Sequence, residues 1–297
     1  MKGTIIKSVG NLYSIKSKNK IYKCVYRGKN KLTNNFSNPI VSGDEVEFSL
    51  NDDKNGIIEN ILERKNFFIK KSLKDDKAHI IGSNIDQILI IASIKNPYTK
   101  LGFIDKCVAA SFFYNITPIL VFNKIDTLYD KEIKKLKEIL SIYKKININT
   151  FYISAGNGDN VDKLERILKN KRTLLLGNSG VGKSTLINRI SKHSNQKTNI
   201  LSTKTKRGKQ TTTFSEIFEL KISGLLTDTP GFKDFYFFNI EKADLHFLYP
   251  EFNLREKCKF KNCLHNNEPE CAIKENLGKS INIKRYNNYI SILSELI

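Results

Sequence analysis

The alternation of apolar and polar positions changes character along the chain, and the changes divide it. Up to about residue 65 the apolar runs are short and separated by glycine and asparagine turns. They predict strands over Thr4 to Val9, Leu12 to Ile15, Lys20 to Arg27, Glu45 to Leu50 and Gly56 to Ile61. Ser42-Gly43-Asp44 and the run 52–56 supply turn chemistry between them. Five short strands suit a small barrel, either an OB-type barrel or an SH3-like one. Asn66 to Ser83 is a charged connection, read as a linker. From residue 84 to about 240 strands alternate with helices. Strands are expected at Gln87 to Ala92, Pro118 to Phe122, Asn149 to Ile153, Thr173 to Leu176, Phe214 to Leu220 and Ile222 to Thr227. Helices are expected at Phe103 to Phe113, Glu132 to Tyr143, Val161 to Leu168 and Lys183 to Ile190. Glu132 to Tyr143 repeats apolar residues at helical spacing, at Ile133, Leu136, Ile139, Leu140 and Tyr143. Such alternation predicts a mostly parallel sheet with helices on both faces. From about 241 to 297 strands give way to a helical unit, with a helical period over Ile281 to Ile297. The fold class is therefore multidomain α/β: barrel, α/β domain and small helical domain.

Composition narrows the partners. The 297 residues carry a formal net charge of +20, which favours a polyanion. A lysine-, asparagine- and isoleucine-rich composition can also reflect genome bias. The charge is uneven, however: no Asp or Glu precedes Asp44, while Lys2, Lys7, Lys16, Lys18, Lys20, Lys23, Arg27, Lys29 and Lys31 crowd the same segment. Tyr13, Tyr22, Tyr26 and Phe36 suit either base stacking or the barrel core. The best apolar run, Ile88 to Ile94, is far shorter than the ~20 residues of a membrane span, and Met1 to Lys7 lacks an apolar signal region. A cytoplasmic protein without membrane association is expected.

The candidate chemistry begins at Gly177-Asn178-Ser179-Gly180-Val181-Gly182-Lys183-Ser184, followed by Thr185. It matches G-x-x-x-x-G-K-[ST] between a predicted strand and a predicted helix. Backbone N–H groups and the helix N-terminus would cradle phosphates. Lys183 would reach the β- and γ-phosphates, and the Ser184 hydroxyl would ligate Mg²⁺. Asn123-Lys124-Ile125-Asp126 matches N-K-x-D. The Asp126 carboxylate can accept from both N1–H and the exocyclic amine of guanine, a pairing adenine does not offer. Asn123 can bond the base, and the Lys124 stem can pack over it. Ser154-Ala155, at a strand end, suits a second base-contact loop offering a backbone N–H. Asp228-Thr229-Pro230-Gly231 matches D-x-x-G, with Asp228 on the metal and the Gly231 N–H toward the γ-phosphate. Gln210-Thr211-Thr212-Thr213 is the candidate switch, with Thr212 or Thr213 supplied to Mg²⁺.

The guanine motifs precede the phosphate loop, the reverse of an ordinary GTPase. The domain therefore reads as circularly permuted, a rearrangement tolerated where original termini lie close together.

Five cysteines are present. Cys24 and Cys107 stand alone. Cys258, Cys263, His265 and Cys271 form C-x₄-C-x-H-x₅-C, a closed soft set for one structural Zn²⁺, in a stretch too poor in apolar residues to fold unaided.

Together these motifs resemble the circularly permuted GTPases that act on the small ribosomal subunit, the RsgA-type family. The resemblance spans the whole chain and includes Asn84-Ile85-Asp86-Gln87. It implies an OB-fold binding ribosomal RNA, a slow GTPase stimulated by the small subunit, and a role in late subunit maturation. A monomer that binds GTP and GDP is expected. One departure stands out: Gln210 occupies the position where the family usually has a His. A glutamine amide can orient the attacking water but cannot titrate as a base. Phe232 follows Gly231 where many GTPases carry the water-positioning Gln, in keeping with the family pattern. The other class of function compatible with the sequence is an RNA-binding module switched by nucleotide with negligible turnover.

Overall fold

The computed structural model describes residues 1–26, 36, 38, 40–51, 56–71, 78–192, 215–229 and 236–296. Five strands open the chain: β1 (Lys2–Val9), β2 (Leu12–Ser17), β3 (Lys20–Tyr26), β4 (Glu45–Leu50) and β5 (Gly56–Ile61). They pair in the order β1-β2-β3-β5-β4, and β4 returns to β1 to close the barrel. β3 and β5 run parallel and the other barrel pairs antiparallel. This connectivity is the OB type. Along each strand alternate side chains point inward, so Ile5, Tyr13, Ile15, Cys24, Val46, Phe48 and Ile58 fill the interior. Tyr22 packs its ring 5.4 Å from that of Phe48, and Tyr26 lies against the same core. Phe36 joins a separate cluster with Phe67 and Phe238. The four aromatics are thus packing residues.

The stretch 66–83 is more than a connection. β6 (Phe67–Lys70) and β7 (His79–Ser83) form a two-stranded antiparallel sheet, and Phe68, Ile69, Ile80 and Ile81 are buried. Its charged middle, 72–77, lies outside the described residues.

The α/β domain follows the expected alternation: β8 (Gln87–Ala92), α1 (Leu101–Phe113), β9 (Thr117–Phe122), α2 (Asp130–Lys144), β10 (Asn149–Tyr152), α3 (Val161–Leu168), β11 (Arg172–Leu176), α4 (Lys183–Ile190), β12 (Glu216–Glu219) and β13 (Leu225–Asp228). The order β10-β9-β8-β11-β13 is parallel throughout, and β12 adds antiparallel at the edge. Every residue of β8 is buried, because its period-2 faces meet different helix layers. Ile88, Ile90 and Ala92 pack in one layer with α1 and α2. Leu89 and Ile91 pack in the other with α3 and α4. The final strand starts later than periodicity suggests, since Lys221 to Gly224 form the turn, with Ser223 at φ 74°. α2 begins where the Glu132 carboxylate accepts the Tyr129 backbone N–H at 2.7 Å, half of a capping box.

The sheet does not stop at the domain edge. β1 of the barrel pairs with β12 through Lys7 and Glu216, so barrel and α/β sheet form one 11-stranded surface. Lys7–Glu216 and Lys16–Glu219 ion pairs and a Ser42 Oγ–H to Ser215 O bond reinforce the seam.

The C-terminal unit contains α5 (Ala272–Glu275) and α6 (Ile283–Glu295). Asn282 Oδ1 caps α6 by accepting from the Lys284 and Arg285 backbone N–H groups. Its core residues Tyr249, Phe252, Ile273, Tyr289 and Ile292 belong to the same cluster as α1. Between α1 and α6, Arg285 is buried with Asp105 and Glu251 as ion partners. Tyr143 Oη–H donates to Asp105 Oδ1 at 2.9 Å, and Asn288 donates to Asp105 Oδ2. Among the described residues no helix is long and apolar enough to cross a membrane.

Candidate functional site

Parallel strands bring their C-terminal ends to one edge, where open α/β sheets bind ligands. Five such ends meet here. β9 runs into Asn123, β10 into Ser154, β11 into Gly177, and β13 ends on Asp228. The register pairs Asp228 with Leu175, two residues before the phosphate loop. β8 supports the centre, its Ala92 carbonyl accepting the Asn123 backbone N–H at 2.9 Å.

The phosphate loop is shaped by close approaches. Gly177 (φ 154°) passes so near β8 that a Cβ would sit 2.6 Å from the Ile91 carbonyl. Gly182 (φ 97°) would bring a Cβ to 2.2 Å from Asn123 Nδ2. Both positions require glycine. Val181 turns inward and is fully buried, whereas Ser179 and Gly180 form the exposed tip and Asn178 is half-buried. Ser184 and Thr185 are half-buried in the first turn of α4. Lys183 Nζ donates to the carbonyls of Gly177 (2.6 Å) and Asn178 (2.9 Å), so it lies across the loop. Burial holds the Lys183 ammonium below its ordinary pKa, and the Asp228 carboxylate opposes that shift. The Thr229 hydroxyl donates to the Leu175 carbonyl at 2.8 Å, fixing the chain just past Asp228.

Asn123 has a larger role than base contact. Its Nδ2 donates to the Val181 carbonyl at 2.9 Å, and its Oδ1 accepts the Ala155 backbone N–H at 2.9 Å. One buried amide therefore joins all three motifs. The Ala155 N–H of the candidate second base-contact loop is thus donated to Asn123. Ser154 is buried, and its Oγ accepts the Asn157 N–H at 3.1 Å, closing a tight turn. Lys124 adopts a left-handed conformation (φ 66°) and donates from Nζ to the Asn96 carbonyl at 2.6 Å. Burial lowers its pKa, and Asp126 counteracts this. Ile125 opens a 3₁₀ turn tied by its N–H to the carbonyl of Ile153, the residue just past β10, and Asp126 in that turn is exposed toward solvent. Sequence reasoning missed Arg189. From α4 it donates to the carbonyls of Ala155 (2.6 Å) and Gly156, clasping the second base loop. Its only sequence signal was an arginine on the polar side of a short helix. Gln210, Thr212, Thr213 and Gly231 lie outside the described residues.

For a magnesium nucleotide, this chain offers hard oxygen donors at Ser184 and Asp228 beside an amide-lined glycine loop, which fits the ion's preference for oxygen.

The second cluster lies in the C-terminal unit. The ligand atoms of Cys258, Cys263, His265 and Cys271 lie within 4.8 Å of one another. His265 Nδ1 is 3.6 Å from Cys258 Sγ and 3.4 Å from Cys271 Sγ, and Cys258 and Cys271 sulfurs are 3.9 Å apart. Tetrahedral zinc with its usual bond lengths requires about 3.8 Å between sulfurs and about 3.6 Å between sulfur and nitrogen. The donor set therefore fits a tetrahedral metal ion. Burial pushes the Cys263 thiol up to about 12 and the His265 imidazole down to about 4. Tyr286 and Tyr289 hydroxyls donate to the carbonyls of His265 and Leu264, both at 2.8 Å, so α6 clamps the finger. Cys24 and Cys107 are buried away from the cluster.

A parallel α/β sheet with phosphate loop after guanine motifs, an OB barrel in front and a Cys₃His finger behind define a circularly permuted GTPase. The RsgA GTPase family model matches residues 61–238, and the RsgA N-terminal domain model matches residues 2–58. The chain belongs to the RsgA GTPase family. It is 39% identical to the small ribosomal subunit biogenesis GTPase RsgA of Christiangramia forsetii, over 99% of this chain and 96% of that one. It is 40% identical to the protein of the same name from Flavobacterium johnsoniae, over 99% and 93%. Among solved structures, YjeQ from Thermotoga maritima superposes with a TM-score of 0.78 at 29% identity, covering 99% of this chain and 98% of that one. YloQ, described as a circularly permuted GTPase, gives 0.74 at 26% identity, covering 99% and 94%.

Proposed function

We propose that this chain hydrolyses GTP during late maturation of the small ribosomal subunit, slowly alone and faster when bound to the subunit. The observation that carries the nucleotide reading is the Asn123 amide, tied at 2.9 Å to both the phosphate loop and the second base loop. That linkage supports reading the three short motifs as one guanine-nucleotide site. The naming of relatives as small ribosomal subunit biogenesis GTPases supports the biological setting.

In this reading Asp126, exposed at the rim, accepts from the guanine edge. The N–H groups of 177–183 and the Lys183 ammonium stabilise charge at the transferring phosphoryl group. Lys183 exchanges the Gly177 and Asn178 carbonyls for phosphate oxygens. Ser184 and Asp228, with Thr212 or Thr213, hold Mg²⁺, which neutralises phosphate charge when bound. Gly231 senses the γ-phosphate, and Gln210 orients the attacking water. The Cys₃His finger holds one structural Zn²⁺.

The barrel is the proposed contact with ribosomal RNA. Lys2, Lys7 and Lys16 are engaged with Glu47, Glu216 and Glu219. Lys18, Lys20 and Lys23 remain exposed on the β2–β3 hairpin and are left to meet phosphates. The protein is taken to act as a cytoplasmic monomer.

The test is co-sedimentation with purified small subunits. The chain loaded with a non-hydrolysable GTP analogue is expected to pellet with them, and the GDP-loaded chain to remain largely in the supernatant. Equal pelleting in both states, or none, would count against a nucleotide-gated encounter.

A further inference from the structure

Two buried nitrogens beside the finger have no hydrogen-bond partner among the described residues: His265 Nε2 and His246 Nδ1. Their rings are neighbours, with centroids 5.1 Å apart and planes inclined at 59°. His265 turns Nδ1 to the thiols of Cys258 and Cys271, so Nδ1 is the ligand atom and a neutral imidazole must carry its proton on Nε2. That N–H needs an acceptor. The Tyr286 and Tyr289 hydroxyls donate to the carbonyls of His265 and Leu264, and neither oxygen is a hydrogen-bond partner of Nε2. The face of Phe252, at 5.6 Å and nearly perpendicular to the imidazole, is apolar. His246 is buried, and its Nδ1 is the complementary group, an acceptor whenever that ring is neutral with its proton on Nε2.

We infer that His246 is the outer partner of the metal ligand His265, accepting its Nε2–H at Nδ1 either directly or through one water. Metal-bound histidines ordinarily donate their second N–H to an acceptor, commonly a carboxylate, a backbone carbonyl or water, which fixes ring orientation and raises ligand basicity; here a neutral imidazole takes that place. His246 lies in the 3₁₀ turn Leu245–Leu248, and Leu245 and Leu248 sit in the core shared with α1. The finger is thereby held from the segment leaving the α/β domain as well as from α6. His246 is a positioning residue.

The inference rests on the zinc reading, and the experiment separates the two. Full-length protein and the variants His246→Asn, His246→Gln and His246→Phe are assayed for zinc content by mass spectrometry. Their zinc is then titrated against a chromophoric chelator, and far-UV circular dichroism checks folding. Asn offers an oxygen near the Nδ1 position, whereas Gln reaches toward Nε2 and Phe offers no acceptor. The expected result is one zinc per wild-type chain, near-wild-type retention in His246→Asn, and 10–100-fold weaker zinc binding in His246→Gln and His246→Phe. Nitrogen-15 NMR of the zinc-loaded wild type should show His265 protonated at Nε2, with that proton slow to exchange. Zinc bound equally by all four proteins would overturn the role of His246 while leaving the finger intact. A wild-type chain without zinc would remove the zinc reading itself. Should His246→Phe fail to fold, the contrast between Asn and Gln decides the matter, and equal affinities there contradict the inference.

Discussion

The side-chain amide of Asn123 donates to the Val181 carbonyl, 2.9 Å away, across 58 positions of sequence. The bond joins the end of β9 to the middle of the phosphate loop, and the opposite face of the same amide holds Ala155. Asn123→Ala would leave a buried carbonyl and a buried N–H unpaired, at a cost of about 1–3 kcal/mol each. Part of that cost is expected to appear as binding. Affinity for GDP should fall by at least tenfold in a titration with fluorescent GDP, while the melting temperature drops by only a few degrees. Unchanged affinity would show that the loops hold their shape without the bridge.

Arg189 reaches from α4 to the carbonyls of Ala155 and Gly156. These bonds are partly solvent-exposed, so their loss should be modest. Arg189→Ala is expected to weaken GTP binding about three- to tenfold, or about 0.7–1.4 kcal/mol, the net worth of an ordinary hydrogen bond, and to leave the weak binding of ATP unaltered. Parallel calorimetric titrations with the two nucleotides would reveal it. An equal loss for both would point to a general defect of α4 instead.

Arg285 stands between Asp105 on α1 and Glu251 in the C-terminal unit, with the rings of Tyr143 and Tyr249 at 5.4 and 5.0 Å. Removing one member leaves a buried charge uncompensated, which typically costs 3–5 kcal/mol. Arg285→Met should therefore lower the thermal midpoint sharply. Adding Asp105→Asn and Glu251→Gln should recover part of the loss. No recovery in the triple variant would mean that packing, not charge, dominates this junction.

Asp86 accepts the Arg172 N–H at 2.9 Å and pairs with Lys65 at 3.2 Å. Burial alone would raise its pKa, but these donors outweigh it and the carboxyl lies below its ordinary value. A carboxyl with a lowered folded pKa contributes stability above the unfolded value, and that contribution disappears as pH falls through the folded one. Asp86→Asn should therefore destabilise by about 1 kcal/mol at pH 7. The gap from wild type should close as the pH is taken below about 3.8, the ordinary value. Urea melts at pH 7 and pH 3 provide the comparison, and a gap of the same size at both would refute the charge explanation.

The elements that were legible in sequence share a physical reason: their signals are local. The all-apolar β8 announces a strand covered on both faces, and Lys183–Ile190 starts and stops where its glycine loop and apolar spacing require. The motif residues came out at one sheet edge because parallel strands point their C-terminal ends the same way. What was hidden depends on distant partners. Lys7 and Lys16 read as part of an unopposed basic block, yet Glu216 and Glu219, some two hundred positions away, neutralise them. Arg285 reads as one charge on the polar face of a helix, and only the arrival of Asp105 and Glu251 buries it. The charged run within 66–83 concealed two short apolar strands that cover Phe68 and Ile81. Asn123 was recognised as a motif residue, but its amide is spent on Val181 and Ala155, a use that spacing does not encode.

The central claim is tested most directly by measuring phosphate release from GTP, with ATP as control, in the presence and absence of purified small ribosomal subunits. The account predicts slow release alone, strong stimulation by subunits, selectivity for GTP, and abolition by Lys183→Ala. Tight GTP binding without stimulated release would contradict it, and would leave a nucleotide-switched RNA-binding protein in its place.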